Sequence, residues 1–283
     1  MQMRRLGRNG PLVSAISLGC MRMSNIMGGP QPPLQGDRDR ESVATIEAAL
    51  DAGITLLNTG DFYGMGHNET LVAEAIRRRR DQAFLSVKCG IQRTHTGTIL
   101  GMDGRPSSIK NYAAYSLQRL GVDYIDLYQP ARVDPSVPYE ETIGAVADLI
   151  SEGKVRYLGV SEVNADQLRK AHSIHPVAAL EIEYSLASRF IERAVLPVAR
   201  ELGIGVVAYG VVTQGLLTGA MRNRWWIPRS PRPFCGFKAR ACRRTSTLSN
   251  SLNTWRQRKA RHLLSWRSPG CCRVATTSLR CSA

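Results

Sequence analysis

The 283-residue sequence predicts an α/β protein with the architecture of a (β/α)8 TIM barrel, in which parallel strands alternate with helices. Seven short runs rich in Val, Ile, Leu, Phe and Tyr are typical of buried parallel strands. They recur at intervals of about 23 to 40 residues, with helix-like stretches between them. No Gly-x-Gly-x-x-Gly pattern follows the first run, which argues against a doubly wound dinucleotide-binding sheet.

The predicted elements occupy the first three quarters of the chain. The predicted strands are AISLG (15–19), ITLLN (54–58), FLSVK (84–88), YIDLYQ (124–129), RYLGV (156–160), ALEIE (179–183) and GVVAY (205–209). The predicted helices lie near 40–52, 68–80, 107–120, 138–152, 164–173 and 189–202. Asn68 and Ser107 are typical residues for helix starts, and Gly153 and Gly203 for helix ends. A hairpin turning at Asn9-Gly10 is predicted to close the barrel floor.

The net charge of +15 is confined to the C-terminal segment. Of the 38 Lys and Arg residues, 15 lie in 221–283, which contains no Asp or Glu; residues 1–220 carry 23 basic and 23 acidic side chains. We therefore divide the chain into a barrel domain, 1–220, and a basic tail, 221–283. Such a composition is typical of GC-rich coding DNA read in the wrong frame. We predict a frameshifted, disordered tail and an eighth strand–helix unit that is missing or aberrant.

Polar side chains end the second and third predicted strands. Asn58 closes one strand, Tyr63 follows five residues later, and Lys88 closes the next strand. Active sites of (β/α)8 barrels lie at the carboxyl ends of strands, so we expect these side chains to meet there. A buried amine beside a phenol favours the phenolate and lowers the tyrosine pKa toward neutrality, which makes Tyr63 a candidate general acid. On residue types alone, the alternative is a packed rim tyrosine and a Lys88 side chain that extends to solvent.

The segment LLNTGDFYGMGHNE resembles the signature D-T-A-D-x-Y-G-x-G-x-N-E of the aldo-keto reductase superfamily. Further likenesses follow in order through about residues 1–219: SLGCMRMS, VKCG, LGVDYIDLYQPARVDP, GKVRYLGVSEV, LEIEYSL and ELGIGVVAYGVVTQGLLTG. The resemblance implies a (β/α)8 barrel that transfers hydride from NADPH to an aldehyde or ketone. It also implies that Tyr63 donates the proton and that Lys88 tunes its acidity.

Two members of the family's catalytic tetrad of Asp, Tyr, Lys and His are replaced in this chain. Asn58 stands at the Asp position, and Ala131 stands at the His position in QPARVDP. An asparagine can hydrogen-bond Lys88 but cannot neutralise it, and an alanine provides no imidazole to orient a carbonyl. We expect these replacements and the tail to impair turnover, and we expect Asn58→Asp to raise carbonyl reduction.

The resemblance also implies a set of residues that contact the NADPH cofactor. They are Gly19, Cys20, Met21, Ser161, Glu162, Glu181, Tyr209, Gly210, Val211 and Gln214. Glu162 and Glu181 replace the Asn and Gln of the family, so each adds negative charge where the family has an amide. Ordinary packing at the barrel rim is the alternative interpretation of these positions.

The remaining sequence features limit the location of the protein and the classes of partner that it can bind. No apolar run approaches the roughly 18 residues of a membrane span, and the N-terminus does not resemble a signal peptide, so we expect a cytoplasmic protein. The histidines show no metal-ligand spacing with Cys or acids, and we expect no metal. The expected partner is a small-molecule carbonyl compound, without nucleic acid or membrane. Two alternatives stay open: a weak or inactive nucleotide-binding relative, and a barrel whose basic tail is a nucleic-acid-binding arm.

The frameshift can be checked in the coding nucleotides. The segment LLSWRSPGCCRVATTSLRCSA can be back-translated with suitably chosen synonymous codons. When the first two nucleotides are dropped, the shifted frame translates to AVVALAWVLSRGDDIVALFG. This product has the pattern of a helix followed by a strand. We therefore expect the nucleotides of codons 215–225 to show a lost or gained base. A tail whose alternative frames contain stop codons or no such pattern would contradict the interpretation.

Overall fold

The computed structural model describes residues 1–24 and 36–218. The chain divides into Met1–Val211 and Val212–Ala283. All the strands and α-helices reported below lie in the first unit. Of the second, the structure describes Val212–Thr218, which includes a short 3-10 helix at Thr213–Thr218. Within the described ranges, no helix is both long and apolar enough to cross a lipid bilayer.

The described residues form strands and α-helices in the alternating order that the sequence predicts. The strands are β1 Met3–Arg5, β2 Leu12–Ser14, β3 Leu18–Gly19, β4 Leu56–Gly60, β5 Phe84–Cys89, β6 Ile91–Arg93, β7 Ile99–Met102, β8 Ile125–Pro130, β9 Val155–Ser161, β10 Val177–Glu183 and β11 Gly205–Tyr209. The helices are α1 Asp37–Asp51, α2 His67–Ile76, α3 Pro106–Leu120, α4 Tyr139–Ser151, α5 Ala165–Ile174 and α6 Val195–Leu202.

Seven strands form one curled sheet in the order β11-β10-β9-β8-β5-β4-β3, and every neighbouring pair is parallel. One of the six helices lies in each connection between successive strands of this sheet. The predicted barrel architecture is therefore confirmed for the described residues. The predicted defect in the eighth strand–helix unit falls outside them, as does the tail 221–283.

Three local predictions need correction. The predicted strand at 15–19 is confined to β3, Leu18–Gly19. The Ser14 hydroxyl donates to the Ile16 carbonyl at 2.6 Å, and this bends the chain before β3. The last helix begins only at Val195, because the non-helical backbone of Ala194 separates it from a preceding 3-10 turn. Asn68 lies inside α2, which begins at His67, and caps nothing.

Two further antiparallel hairpins accompany the sheet. The predicted opening hairpin forms from β1 and β2, and its side chains Leu6 and Val13 pack against Leu56, Leu127 and Ala179 inside the sheet. It therefore provides an apolar floor to the barrel interior. The second hairpin, β6–β7, follows β5 directly and was not predicted, because strands of three and four residues leave no clear periodicity.

Gly7 fixes the opening hairpin against the rest of the barrel. Its φ of +76° lies in the left-handed region, and a Cβ there would stand 2.5 Å from the Gly203 carbonyl oxygen. The neighbouring Arg8 N–H donates to that same oxygen at 2.7 Å. Only a residue without a side chain permits both the backbone conformation and this close approach.

We expect Gly7→Ala to lower the free energy of unfolding by more than about 2 kcal/mol. The cost of a left-handed alanine and the cost of the clash with the Gly203 carbonyl both contribute. Gly121→Ala is the matched control. Gly121 is also left-handed, with φ +64°, but nothing lies within 4 Å of a Cβ there, so the cost is about 1 kcal/mol. Urea unfolding midpoints measure both; equal losses would mean that the close approach at Gly7 contributes nothing.

Candidate functional site

The carboxyl ends of β4 and β5 bring Asn58 and Lys88 together, as predicted. The two strands are parallel, with Asn58 opposite Ser86 and Gly60 opposite Lys88. The Lys88 amine donates to Oδ1 of Asn58. Lys88 is only 5% exposed, so the alternative in which its side chain extends to solvent is wrong.

Glu181, at the carboxyl half of β10, completes this cluster. Its Oε1 lies 3.2 Å from the Lys88 amine. Its Oε2 accepts hydrogen bonds from the Asn58 side-chain amide at 2.7 Å and from the Gln129 amide at 2.6 Å. All four side chains are buried. One cation, one carboxylate and two amides thus form a network across four strands, which we call the lysine cluster.

The lysine cluster needs one small residue to form. Gly159 on β9 faces Gln129, and a Cβ at this position would lie 2.9 Å from the Gln129 Oε1 atom and 3.1 Å from its Cβ. The missing side chain therefore leaves the space in which Gln129 reaches Glu181. Gln129 also donates to the Ser86 hydroxyl at 3.1 Å, so its side-chain amide is bound to β5 as well as to Glu181 on β10.

Tyr63 lies beside the lysine cluster on the turn that follows β4. The turn is possible because Gly64 and Met65 adopt left-handed φ values of +58° and +59°. The Lys88 amine lies 5.3 Å from the centre of the tyrosine ring. The ring is buried and packs with Phe62 and Ala131 in an apolar group.

The charges in this site do not have the effect that the sequence predicted. Burial raises the pKa of Tyr63; Lys88 opposes this rise and the Glu181 carboxylate adds to it, so the phenol remains protonated at neutral pH. The predicted shift toward neutrality is therefore wrong, because burial outweighs the amine. For Lys88, burial alone would lower the pKa, but Glu181 and Tyr63 outweigh it and raise the pKa. The site combines a neutral phenol with a protonated amine.

Glu162 and Tyr209 form a second cluster at the ends of β9 and β11. Glu162 follows the buried Ser161 and has a left-handed φ of +54°. Its carboxylate accepts from the Glu183 backbone N–H at 2.9 Å. Burial, and then a hydrogen bond to Glu162, raise the pKa of the Tyr209 hydroxyl. Tyr209 is 37% exposed, so its hydroxyl is held by Glu162 while part of the residue remains accessible to solvent.

Cys20 connects the end of β3 to the lysine cluster through its backbone. Its N–H donates to the Asn58 carbonyl at 2.9 Å, and its carbonyl accepts from the buried Asn68 amide at 2.8 Å. Burial raises the pKa of the Cys20 thiol to about 12, so it remains an un-ionised packing group. Gly19 and Met21 flank it, and Met21 is 38% exposed.

The remaining predicted cofactor contacts follow β11. Gly210 has a left-handed φ of +66°, and Val211 is 53% exposed. Gln214 belongs to the 3-10 helix Thr213–Thr218, and its side chain is not among those that the structure describes. In the described residues, no three His, Cys, Asp or Glu side chains are grouped so that they could hold a metal ion.

Sequence reasoning missed three polar residues that build the site. Ser86 stands two residues before Lys88 on β5, and Gln129 lies near the carboxyl end of β8. A polar side chain at an inward-facing strand position was the available signal. Asn68 was mistaken for a helix cap; it instead accepts from the Thr59 hydroxyl at 2.7 Å and holds Cys20.

Comparison with known proteins places these features in one family. A model described as the aldo/keto reductase family matches residues 15–267. A protein from Glycine max named probable aldo-keto reductase 1 is 40% identical over 216 residues; the match covers 76% of this chain and 60% of that protein. The chain thus spans about 60% of the length of this curated relative.

Solved structures agree. A glycerol dehydrogenase from Gluconobacter oxydans superimposes with a TM-score of 0.77 at 30% identity, over 91% of this chain and 78% of its own. An aldo/keto reductase from Klebsiella pneumoniae, solved in complex with NADP and acetate, superimposes with a TM-score of 0.62 at 28% identity. That match covers 77% of this chain and 70% of the other.

We expect Asn68→Ala to lower the free energy of unfolding by about 2–4 kcal/mol, because it leaves the buried Thr59 hydroxyl and Cys20 carbonyl without these partners. Asn164→Ala is the control, since Asn164 caps α5 at an exposed position and should cost about 1 kcal/mol. Urea unfolding measures both. A smaller loss for Asn68→Ala than for Asn164→Ala would contradict the assigned role of Asn68.

Proposed function

Because the chain belongs to the aldo/keto reductase family, we propose that it reduces an aldehyde or ketone to the alcohol with NADPH and that Tyr63 donates the proton. The proposal rests on the buried pair of Tyr63 and Lys88 at the carboxyl ends of the barrel strands. This is the face on which enzymes of this architecture carry their active sites.

The protonation states of this pair suit the reduction of a carbonyl group. Tyr63 is a neutral phenol, so its O–H can donate to the carbonyl oxygen as negative charge develops there. Proton transfer leaves a phenolate, which the protonated Lys88 amine stabilises. The tyrosine therefore acts as the acid, and the lysine lowers the cost of the charge that the acid leaves behind.

The surroundings of Tyr63 favour a carbonyl compound with apolar substituents. Its ring belongs to an apolar group with Phe62, Ile91 and Ala131, and Ile99 and Met102 of the β6–β7 hairpin pack against that group. Ala131 provides no imidazole, so on this proposal the carbonyl oxygen takes its hydrogen bond from Tyr63. Low polarity around the oxygen strengthens that single hydrogen bond.

The residues at the ends of β3, β9 and β11 fit a nicotinamide nucleotide. Glu162 fixes the hydroxyl of Tyr209, whose partly exposed ring can pack on a flat heterocycle. Met21 and Val211 add exposed apolar surface at the same end of the strands. We propose that these residues hold the cofactor together with Gly19, Cys20, Ser161 and Gly210; the contact expected for Gln214 stays a prediction from the sequence. A bound NADPH would supply the hydride.

We expect Tyr63→Phe to reduce kcat for a simple aldehyde by about 100-fold or more, because it removes the proton donor and keeps the ring. NADPH consumption, followed by absorbance, measures the loss, and fluorescence titration with NADPH should show unchanged affinity. Tyr115→Phe, at a half-exposed position on α3, is the control and should retain full activity.

Three results would separate the candidate functions. Equal kcat values for the Tyr63→Phe protein and the parent would exclude Tyr63 as the donor. NADPH binding by the parent without turnover of any carbonyl compound would favour a nucleotide-binding relative that is not an enzyme. Neither binding nor turnover would indicate that the barrel has lost the family's activity.

A further inference from the structure

Lys88 is a buried cation with one ionic partner in the described part of the chain. Its amine lies 3.2 Å from Oε1 and 3.4 Å from Oε2 of Glu181. Both side chains are less than a tenth exposed. Leaving such a cation without a counter-charge would be strongly unfavourable, so the carboxylate of Glu181 is a requirement of this site.

Asn58 is oriented to serve both charges. Its Oδ1 accepts from the Lys88 amine, and its amide nitrogen donates to Oε2 of Glu181 at 2.7 Å. The reverse orientation would point an N–H group at the ammonium and an oxygen at the carboxylate. The amide at position 58 therefore bridges Lys88 and Glu181, and each of its polar groups faces the charge that it complements.

A carboxylate at position 58 would conflict with Glu181. Its oxygen would replace the donating amide at 2.7 Å from Oε2 of Glu181, which would bring two acceptors and two negative charges together in a buried site. The Gln129 amide already donates to that same oxygen at 2.6 Å, which fixes Glu181 in place. The residue at position 58 and the residue at position 181 thus cannot be chosen independently.

We propose that Glu181 is the positioning residue that supplies the counter-charge of Lys88, so that the acid and the amide have exchanged places between positions 58 and 181. The related family carries an acid at the first position and an amide at the second. In this chain, the cluster keeps one lysine and one carboxylate. Asn58 is then part of a working arrangement, and the earlier expectation that Asn58→Asp alone raises activity is replaced by the opposite one. This inference rests on the proposed function.

The test is a double-mutant cycle with Asn58→Asp, Glu181→Gln and their combination. Glu181→Gln leaves Lys88 without a counter-charge, whereas Asn58→Asp adds a second carboxylate to the cluster. The combined protein again has one lysine, one carboxylate and one amide. We expect each single change to lower kcat about tenfold or more, and the combination to return to within about threefold of the parent.

The pH dependence of kcat separates positioning from a merely structural role. The charged and titratable groups that interact with Tyr63 are Lys88, Glu181, the Cys20 thiol and the Arg93 guanidinium of β6. Of these groups, the four proteins of the cycle differ only at position 181. Glu181 raises the pKa of Tyr63 and Lys88 lowers it. Removing the carboxylate in Glu181→Gln should therefore move the alkaline fall of kcat to lower pH, and the combined change should move it back. An alkaline limb that stays in place in Glu181→Gln would overturn the positioning role.

Urea unfolding of the same four proteins gives a measure that does not require turnover. Both single changes should lower the midpoint, and the combination should recover most of the loss. Glu201→Gln is the control, because the exposed Glu201–Arg169 pair lies on the outside and should change neither midpoint nor kcat. Additive losses without recovery would overturn the exchange. Recovery in a parent that shows no turnover would support the exchange and contradict only the proposed function.

Discussion

The burial of the Lys88 amine is the constraint on which the rest of the site depends. An ammonium group held away from water requires a carboxylate and hydrogen-bond acceptors close by, and the chain supplies them from separate strands. Glu181 brings the charge, Asn58 bridges it, and Gln129 holds it in place. The protonated amine and the neutral Tyr63 phenol then coexist because Glu181 supplies the counter-charge of the amine, while burial and the same carboxylate raise the pKa of the phenol.

The fold delivers this network through strand register. The parallel pairing of β4, β5 and β8 puts Asn58, Lys88 and Gln129 at the same end of the sheet. The pairing of β9 with β10 brings Glu181 opposite Ser161, at the same level. Gly159 leaves the space that Gln129 needs. Below this polar layer, the opening hairpin fills the interior with Leu6 and Val13, so the polar groups lie above a dry floor.

The sequence predicts those parts of the molecule that local pattern determines. Apolar runs located the seven strands of the sheet. The polar residues that end two of these runs located Asn58 and Lys88, and the segment after the first located Tyr63. The contact between Lys88 and Glu181 could not be predicted in this way, since it joins residues 93 positions apart through the register of three intervening strand pairs. The sequence named Glu181 only as an expected cofactor contact, which stays a prediction.

The sequence predicted the wrong direction for the pKa shift of Tyr63, for a related reason. A neighbouring amine can be guessed from sequence, but the extent of burial depends on the packing of Phe62, Ile91 and Ala131, which come from three different segments. Desolvation is then the larger effect, and it opposes the amine. Asn68 shows the same limit. An asparagine near a helix start is typical of a cap, but the sequence does not show the long-range hydrogen bonds that Asn68 makes with Thr59 and Cys20.

The pairing of an amide at position 58 with an acid at position 181 also has an evolutionary consequence. Asp to Asn and Gln to Glu each require a single base change, but the two orders of substitution pass through different intermediates. One intermediate has a buried lysine with no counter-charge, and the other has two carboxylates in contact. On the proposed exchange, either step alone is expected to lower activity, so we expect the residues at positions 58 and 181 to change together among relatives of this chain.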